Sequence, residues 1–62
     1  MDFGKVIHNE RIKQGLSRKE LAEKAGFTKR AIIYWESGER TMSIENADRL
    51  FKALNITIKI GV

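Results

Sequence analysis

Apolar residues recur with a helical period over most of this chain and with a period of two at its end. The first helical pattern predicts a helix from Phe3 to about Gln14 that stops at Gly15. Gly4, inside its first turn, is expected to weaken this helix by about 1 kcal/mol relative to alanine. The last helical pattern follows Ser43, a candidate N-cap, and is the most regular in the chain. Its apolar members are Ile44, Ala47, Leu50, Phe51 and Leu54.

Two shorter helical segments lie between these patterns, within residues 17–38, and Gly26 separates them. Ser17 and Glu20 have the spacing of a capping box, which predicts the start of the first segment. Thr28 is the candidate N-cap of the second segment. The apolar residues at helical spacing are Leu21, Ala22, Ala25, Ile32 and Trp35. Two short helices joined by a glycine-containing turn form a helix-turn-helix, which places its second helix in the DNA major groove.

The outer face of the second short helix combines basic and apolar side chains. Once the inward positions are assigned to Ile32 and Trp35, four residues remain on the outside. These residues are Lys29, Arg30, Ile33 and Tyr34. Such a face suits DNA, since arginine forms paired hydrogen bonds with guanine and an apolar side chain contacts the thymine methyl group. An ordinary surface helix with scattered apolar residues fits the pattern as well, so both interpretations stay open at this point.

The period of two covers the last seven residues and predicts a strand over 56–62. Its apolar row consists of Ile56, Ile58, Ile60 and Val62. No other segment of the sequence has a strand pattern, and a lone strand leaves its backbone groups unpaired. We therefore expect this segment to pair with the same segment of a second subunit about a twofold axis. A frayed tail, or pairing with a different protein, is the alternative.

The charge of the chain points to a polyanionic partner. Twelve Lys and Arg stand against eight Asp and Glu, which gives a net charge of +4, and eight of the twelve lie between Arg11 and Arg40. A basic surface that serves only solubility is the other explanation. The sequence has no cysteine, which fits a reducing, cytoplasmic location. We find no signal peptide pattern and no apolar run near the roughly 20 residues of a membrane span.

Other chemistry has little support in the sequence. His8 is the single histidine, and no cysteine or carboxylate stands near it at the spacing of metal ligands. Glu20 and Glu23 fit solvated or capping groups on a helix better than an acid–base pair. No phosphate-binding glycine motif occurs. We therefore expect no enzymatic activity, no cofactor and no metal.

Several independent spacings resemble the Cro/CI-type (XRE) helix-turn-helix family of bacterial and phage regulators, over Phe3 to about Leu54. The matching residues are Arg11, Gly15, Leu16, Ser17, Glu20, Leu21, Ala22, Ala25, Gly26, Ile32, Trp35, Glu36 and Gly38. The tail over 56–62 is similar to that of the HipB-like branch, where such a tail pairs between two subunits. Two positions depart from the family pattern: Arg18 stands where glutamine is common, and Glu10 where an apolar residue is usual.

The resemblance implies an all-α, four-helix, lambda-repressor-like domain over residues 1–62, with the C-terminal β-strand paired between subunits. It implies base-reading or groove-facing roles for Thr28, Lys29, Arg30, Ile33 and Tyr34. It implies contacts to the DNA backbone for Arg18, Ser37, Arg40 and Thr41. It also implies an ion pair between Arg11 and Glu36 that ties the first helix to the end of the third.

We therefore predict a dimeric transcriptional regulator that recognises a palindromic operator in double-stranded DNA through the major groove. Because 62 residues leave no room for an effector domain, repression by occluding RNA polymerase is the simplest mechanism. The alternative is an antitoxin that neutralises a protein toxin and uses DNA binding to autoregulate its operon. The sequence alone does not separate these two functions, but the nature of the adjacent gene would.

Overall fold

The computed structural model describes residues 2–56, which form four α-helices. These are α1 (Phe3–Lys13), α2 (Arg18–Ala25), α3 (Lys29–Ser37) and α4 (Ile44–Ala53). The prediction of a four-helix domain is therefore confirmed. The predicted strand lies outside the described residues except for Ile56, whose N–H donates to the Phe51 carbonyl at 3.0 Å and which packs against the core. None of the described helices is long and apolar enough to cross a membrane.

Each described helix begins with a side chain that accepts a hydrogen bond from a backbone N–H three residues on. The four N-caps are Asp2, Ser17, Thr28 and Ser43. At α2 the reciprocal bond is present as well, since the Ser17 N–H donates to the Glu20 carboxylate at 2.9 Å. This backbone bond lowers the pKa of Glu20. The caps satisfy N–H groups that have no partner within the helix, so each helix start is specified locally.

The helix ends are also specified by nearby residues, because each helix is followed by a residue in the left-handed backbone region. These residues are Gly15, Gly26, Gly38 and Asn55, with φ between 57° and 83°. Gly26 forms the turn between α2 and α3, where the N–H groups of Gly26 and Phe27 both donate to the Ala22 carbonyl. A residue other than glycine is strained at such a φ, and asparagine tolerates it best.

The core lies between α4 and the other three helices. Its buried apolar residues are Ile7, Leu21, Ala22, Ile32, Ala47, Leu50, Phe51 and Leu54. The α4 pattern was wrong at one position, since Ile44 is 58% exposed. Ile44 is the first residue of α4, one turn before Ala47, and therefore lies beyond the edge of the core. Trp35, predicted to turn inward, is half-buried and packs edge-on against Phe27 at 5.0 Å between ring centres.

Gly4 has a different role from the one that helix propensity indicates. It is buried, and a Cβ atom placed on it would collide with the carbonyl oxygen of Trp35 on α3. The missing side chain thus lets the backbones of α1 and α3 approach each other. Alanine would favour the isolated helix but would force α1 and α3 apart, so the comparison with alanine made from the sequence does not hold in the folded chain.

Candidate nucleic-acid interface

The turn at Gly26 sets the two helices so that α3 exposes one face to solvent. Ile32 is fully buried, whereas its neighbour Ile33 is 36% exposed, and this contrast defines the rotation of α3. Lys29 and Arg30, in the first turn, are exposed, and Tyr34 is half-buried. The residues predicted to face DNA bases therefore share the outer side of α3 and its N-terminus.

Thr28 stands at the start of this face and already has a partner in the protein. Its hydroxyl oxygen accepts a hydrogen bond from the Ala31 N–H at 3.1 Å as the N-cap of α3. A hydroxyl group can also donate its own hydrogen, so Thr28 can cap the helix and donate to a base or phosphate at the same time.

Two of the residues predicted to contact the DNA backbone near the end of α3, Ser37 and Arg40, contact Tyr34. The guanidinium of Arg40 lies 4.7 Å from the centre of the Tyr34 ring, which brings a predicted backbone contact onto a predicted groove contact. Ser37 donates its hydroxyl hydrogen to the Tyr34 carbonyl at 3.1 Å and would have to release it to donate to a phosphate. Thr41 is exposed and, with Arg40, lines a surface cavity of about 360 Å³ that reaches the start of α1.

Glu36 is buried at the junction of α1 and α3, with its side chain only 3% exposed. Arg11 donates to both of its carboxylate oxygens, from Nε to Oε2 at 2.7 Å and from Nη2 to Oε1 at 3.0 Å. Arg11 also donates to the Leu16 carbonyl at 2.8 Å, so its guanidinium holds the end of α1 as well as α3. Paired hydrogen bonds between two charged groups are among the strongest in proteins and fix their relative orientation.

Two further side chains share this carboxylate, and neither contact was predicted from the sequence. His8 Nδ1 lies 2.9 Å, and Arg18 Nε 3.2 Å, from Glu36 Oε1. The spacing of His8 and Arg11, three residues apart on α1, places them on one helix face and was the one available signal. Arg18, predicted to contact a phosphate, is 43% exposed but is paired with Glu36 within the protein. We call His8, Arg11, Arg18 and Glu36 the Glu36 cluster.

Opposing effects act on the pKa of Glu36. Burial raises the pKa, because it removes water from the charged carboxylate. Hydrogen bonds from Arg11 and His8, the positive charge of Arg11 and the hydrogen bond from Arg18 lower it, and together they prevail. The pKa of Glu36 therefore lies below its ordinary value of 4.5, and the carboxylate is ionised near neutral pH.

Arg49 of α4 holds the turn of the helix-turn-helix. Its Nη2 atom donates to the carbonyl oxygens of Ala25 and Gly26, at 3.1 and 3.3 Å. Its guanidinium also stacks 4.2 Å from the centre of the Phe27 ring. A positive charge at the carbonyl end of α2 is favourable, since that end of the helix dipole is negative. Sequence reasoning missed Arg49 because its partners lie 23 and 24 residues away and no local spacing connects them.

A comparison with known families identifies the class of protein. The helix-turn-helix family model HTH_3, of the XRE type, matches residues 7–60 of the 62. The chain belongs to this helix-turn-helix family, whose members are DNA-binding regulators. Its function is accordingly sequence-specific DNA binding in the regulation of transcription. Searches of curated proteins and of solved structures gave no match.

Proposed function

We propose that the protein is a dimeric transcriptional repressor that recognises a palindromic operator with α3 in the major groove. The observation that carries the proposal is the division of α3 into a buried side at Ile32 and an exposed side at Ile33. The exposed side begins with Lys29 and Arg30, so positive charge and apolar surface lie together on one accessible helix. That combination suits a surface that contacts DNA phosphates and base edges better than a surface that contacts only solvent.

Particular residues have separate tasks in this proposal. Arg30 and Lys29 hydrogen-bond to base edges, and Ile33 contacts a thymine methyl group. Thr28 and Tyr34 lie along the same groove. The phosphate contacts come from Arg18, Ser37, Arg40 and Thr41. Bound in this way at a promoter, the protein excludes RNA polymerase from the same DNA.

The dimer rests on the segment 56–62, which we propose pairs with its copy in a second subunit, as in the HipB-like branch of the family. The position of Ile56 supports this, because it packs against the core and therefore starts the segment beside the C-terminus of α4. A twofold dimer presents two α3 helices to two half-sites, about 34–36 Å apart along the DNA if they lie one helical turn apart.

Binding titrations on a selected duplex and on a scrambled duplex, each at several salt concentrations, test the DNA contacts. Arg30→Ala should lose about 1–3 kcal/mol on the selected duplex and relax the preference at one base pair. Arg18→Ala should weaken binding to both duplexes similarly and reduce the salt slope by about one unit. Equal effects of both substitutions on both duplexes would contradict the assignment.

Sedimentation at tens of micromolar tests the dimer. Ile58→Asp should give a monomer that binds the operator far more weakly, because it places a charge in the apolar row. Thr57→Asp is the matched control, since it adds the same charge at a neighbouring position outside the apolar row. A wild-type chain that sediments as a monomer, with Ile58→Asp unchanged from it, would refute the proposed interface.

An antitoxin is the second candidate function. Two observations favour it: the likeness of the tail to the HipB-like branch, and two large apolar side chains that are more than half exposed outside α3. These are Ile12 on α1, 57% exposed, and Ile44 on α4. Co-expression with the product of the adjacent gene tests this function. Formation of a complex and relief of toxicity would support an antitoxin, whereas promoter repression with no such complex would support the repressor.

A further inference from the structure

One oxygen of the buried Glu36 carboxylate has more nitrogen neighbours than it can bond well. Three nitrogen atoms lie within 3.2 Å of Oε1: His8 Nδ1 at 2.9 Å, Arg11 Nη2 at 3.0 Å and Arg18 Nε at 3.2 Å. A carboxylate oxygen offers about two acceptor sites. The two arginine nitrogens and, when it carries a proton, His8 Nδ1 therefore compete for this oxygen, and the most weakly held of them is the most easily exchanged.

Arg11 is not the exchangeable partner. Its side chain is 7% exposed, and it makes two bonds to Glu36 and one to the Leu16 carbonyl. His8 and Arg18 are 42% and 43% exposed, and Arg18 makes the longest of the contacts. An exposed arginine beside a DNA-reading helix can leave Glu36 for a phosphate, and the paired Arg11 still compensates the carboxylate.

The hydrogen bonding of His8 Nδ1 depends on which groups donate to Glu36 Oε1. His8 can donate from Nδ1 to Glu36 only when that atom carries a proton; otherwise Nδ1 can accept from Arg11 Nη2, 3.4 Å away. While Arg18 is bound, two arginines face the one carboxylate that also lies 2.9 Å from His8 Nδ1. When Arg18 leaves, the Arg11–Glu36 pair is neutral, and His8 and Arg11 alone share Oε1, with one positive charge fewer beside His8.

We propose that Arg18 moves from Glu36 to a DNA phosphate on binding, and that His8, already 2.9 Å from Glu36 Oε1, takes up a proton there. DNA affinity is then coupled to pH through a residue that need not touch DNA. This inference rests on the proposed function. The charged groups that face His8 are Arg11 of α1, Glu36 of α3 and, through the shared oxygen, Arg18 of α2. Among the ion pairs of residues 2–56, α4 contributes none to this cluster.

The sign and size of the coupling follow from linkage. Proton uptake on binding means that affinity increases as pH falls through the range in which histidine charges, about pH 8 to 5. A single proton contributes at most about tenfold per pH unit. We therefore expect the dissociation constant to decrease about three- to tenfold between pH 8 and pH 6.

The test uses the full chain and a duplex of about 30 base pairs selected from random DNA, long enough for two half-sites. Dissociation constants are measured between pH 6 and pH 8 at constant ionic strength. Calorimetry in two buffers of different ionisation enthalpy counts the protons taken up. The variants are His8→Gln, which keeps a hydrogen-bond donor but cannot charge, Arg18→Gln, and Lys5→Gln as a control for loss of an exposed charge on α1. Thermal melts confirm that each variant is folded.

Wild type and Lys5→Gln should show the three- to tenfold change, while His8→Gln should show almost none. Arg18→Gln tests whether the pH dependence requires the movement of Arg18 or only the negative charge of DNA near His8. This variant should bind DNA more weakly and without the pH dependence, because it has no arginine to move from Glu36 to a phosphate. A wild-type affinity independent of pH, or full pH dependence in either His8→Gln or Arg18→Gln, would overturn the inference while leaving DNA recognition intact. Absence of binding to any duplex would instead refute the proposed function, and this inference with it.

Discussion

Helices α3 and α4 are held in the domain by different kinds of contact. Helix α4 buries Ala47, Leu50 and Phe51, whereas α3 buries a single residue, Ile32. The contacts that position α3 are instead directional. They are the close approach of Gly4 to the Trp35 carbonyl, the paired hydrogen bonds from Arg11 to Glu36, and the hold of Arg49 on the preceding turn.

This difference indicates how a small domain can expose most of a helix and still fix its orientation. Apolar burial is non-directional, so it secures α4 but uses much of the helix surface. Paired charge-assisted bonds and a backbone contact need few residues and specify an angle as well as a position. The outer side of α3 is thereby left accessible. If directional contacts hold α3 and apolar burial holds α4, substitutions in the two sets of contacts should have different effects.

The largest expected effect comes from Arg11→Ala. It leaves the Glu36 carboxylate buried without its paired partner, which typically costs about 3–5 kcal/mol. Lys52→Ala is the control, because the Lys52–Asp48 pair, at 2.9 Å, lies on the surface. Its loss should cost about 0.3–0.5 kcal/mol. Urea unfolding measures both free energies, and similar values for the two variants would contradict a special role for Arg11.

Acid should weaken the same contact more gently, since protonation removes the charge of Glu36 but keeps its shape. With a folded-state pKa below 4.5, Glu36 contributes fully above pH 4.5, and its contribution is lost as the pH falls through the lower value. Wild type and Glu36→Gln should therefore converge in melting temperature as the pH falls below 4.5. A difference that stays constant across this range would show that the carboxylate charge is not what Arg11 stabilises.

For α4, two apolar positions on one helix should behave differently. Leu50→Ala removes a fully buried side chain and should cost about 2–5 kcal/mol. Ile44→Ala, at an exposed position of the same apolar pattern, should change stability by less than about 0.5 kcal/mol. Chemical denaturation of the two variants decides the matter. A large loss for Ile44→Ala would mean that another surface covers this residue in solution.

Gly4→Ala should destabilise the domain by about 1–3 kcal/mol, because the new methyl group overlaps the Trp35 carbonyl. Lys5→Ala, at the next, exposed position, should be close to neutral or slightly stabilising, since alanine favours the helix. Thermal melts distinguish the two. If Gly4→Ala were the stabilising variant, helix propensity would outweigh the contact between α1 and α3.

Little change in stability, about 0.5 kcal/mol or less, is expected for Ile33→Ala, together with weaker DNA binding. Its neighbour provides the control: Ile32→Ala should cost about 2–5 kcal/mol because Ile32 is fully buried. Melts and titrations on a selected duplex measure both properties. Loss of stability without loss of binding in Ile33→Ala would mean that the base-facing residues of α3 are wrongly assigned.

The sequence predicted those parts of the fold that depend on neighbours along the chain. Ser17 and Glu20 predicted the start of α2, because a capping box joins residues three apart. Gly26 and Gly38 predicted helix ends, because the residue that ends a helix is also a local signal. The face of α3 followed from its period, although the DNA contacts stay predictions. Residues 57–62 of the predicted tail lie outside the described residues.

What the sequence did not reveal depends on contacts between distant segments. Helix propensity predicted that Gly4 weakens α1, because nothing in the local pattern shows that α3 lies against this residue. His8 and Arg18 lie 28 and 18 residues from Glu36, and Arg49 lies 23 residues from Gly26. Ile44 continued the α4 period beyond the place where the core ends, which periodicity alone does not show.

The local helix ends have a consequence for the order in which the domain forms. The backbone hydrogen bonds that start and end the four helices join residues at most five positions apart. The boundaries of each helix can therefore form before distant segments meet, and helical domains with such local contacts fold in microseconds to milliseconds. The contacts that orient α3 join distant segments and would form last. Weakening them should mainly accelerate unfolding, so the DNA-reading helix would be the first to lose its orientation when the domain opens.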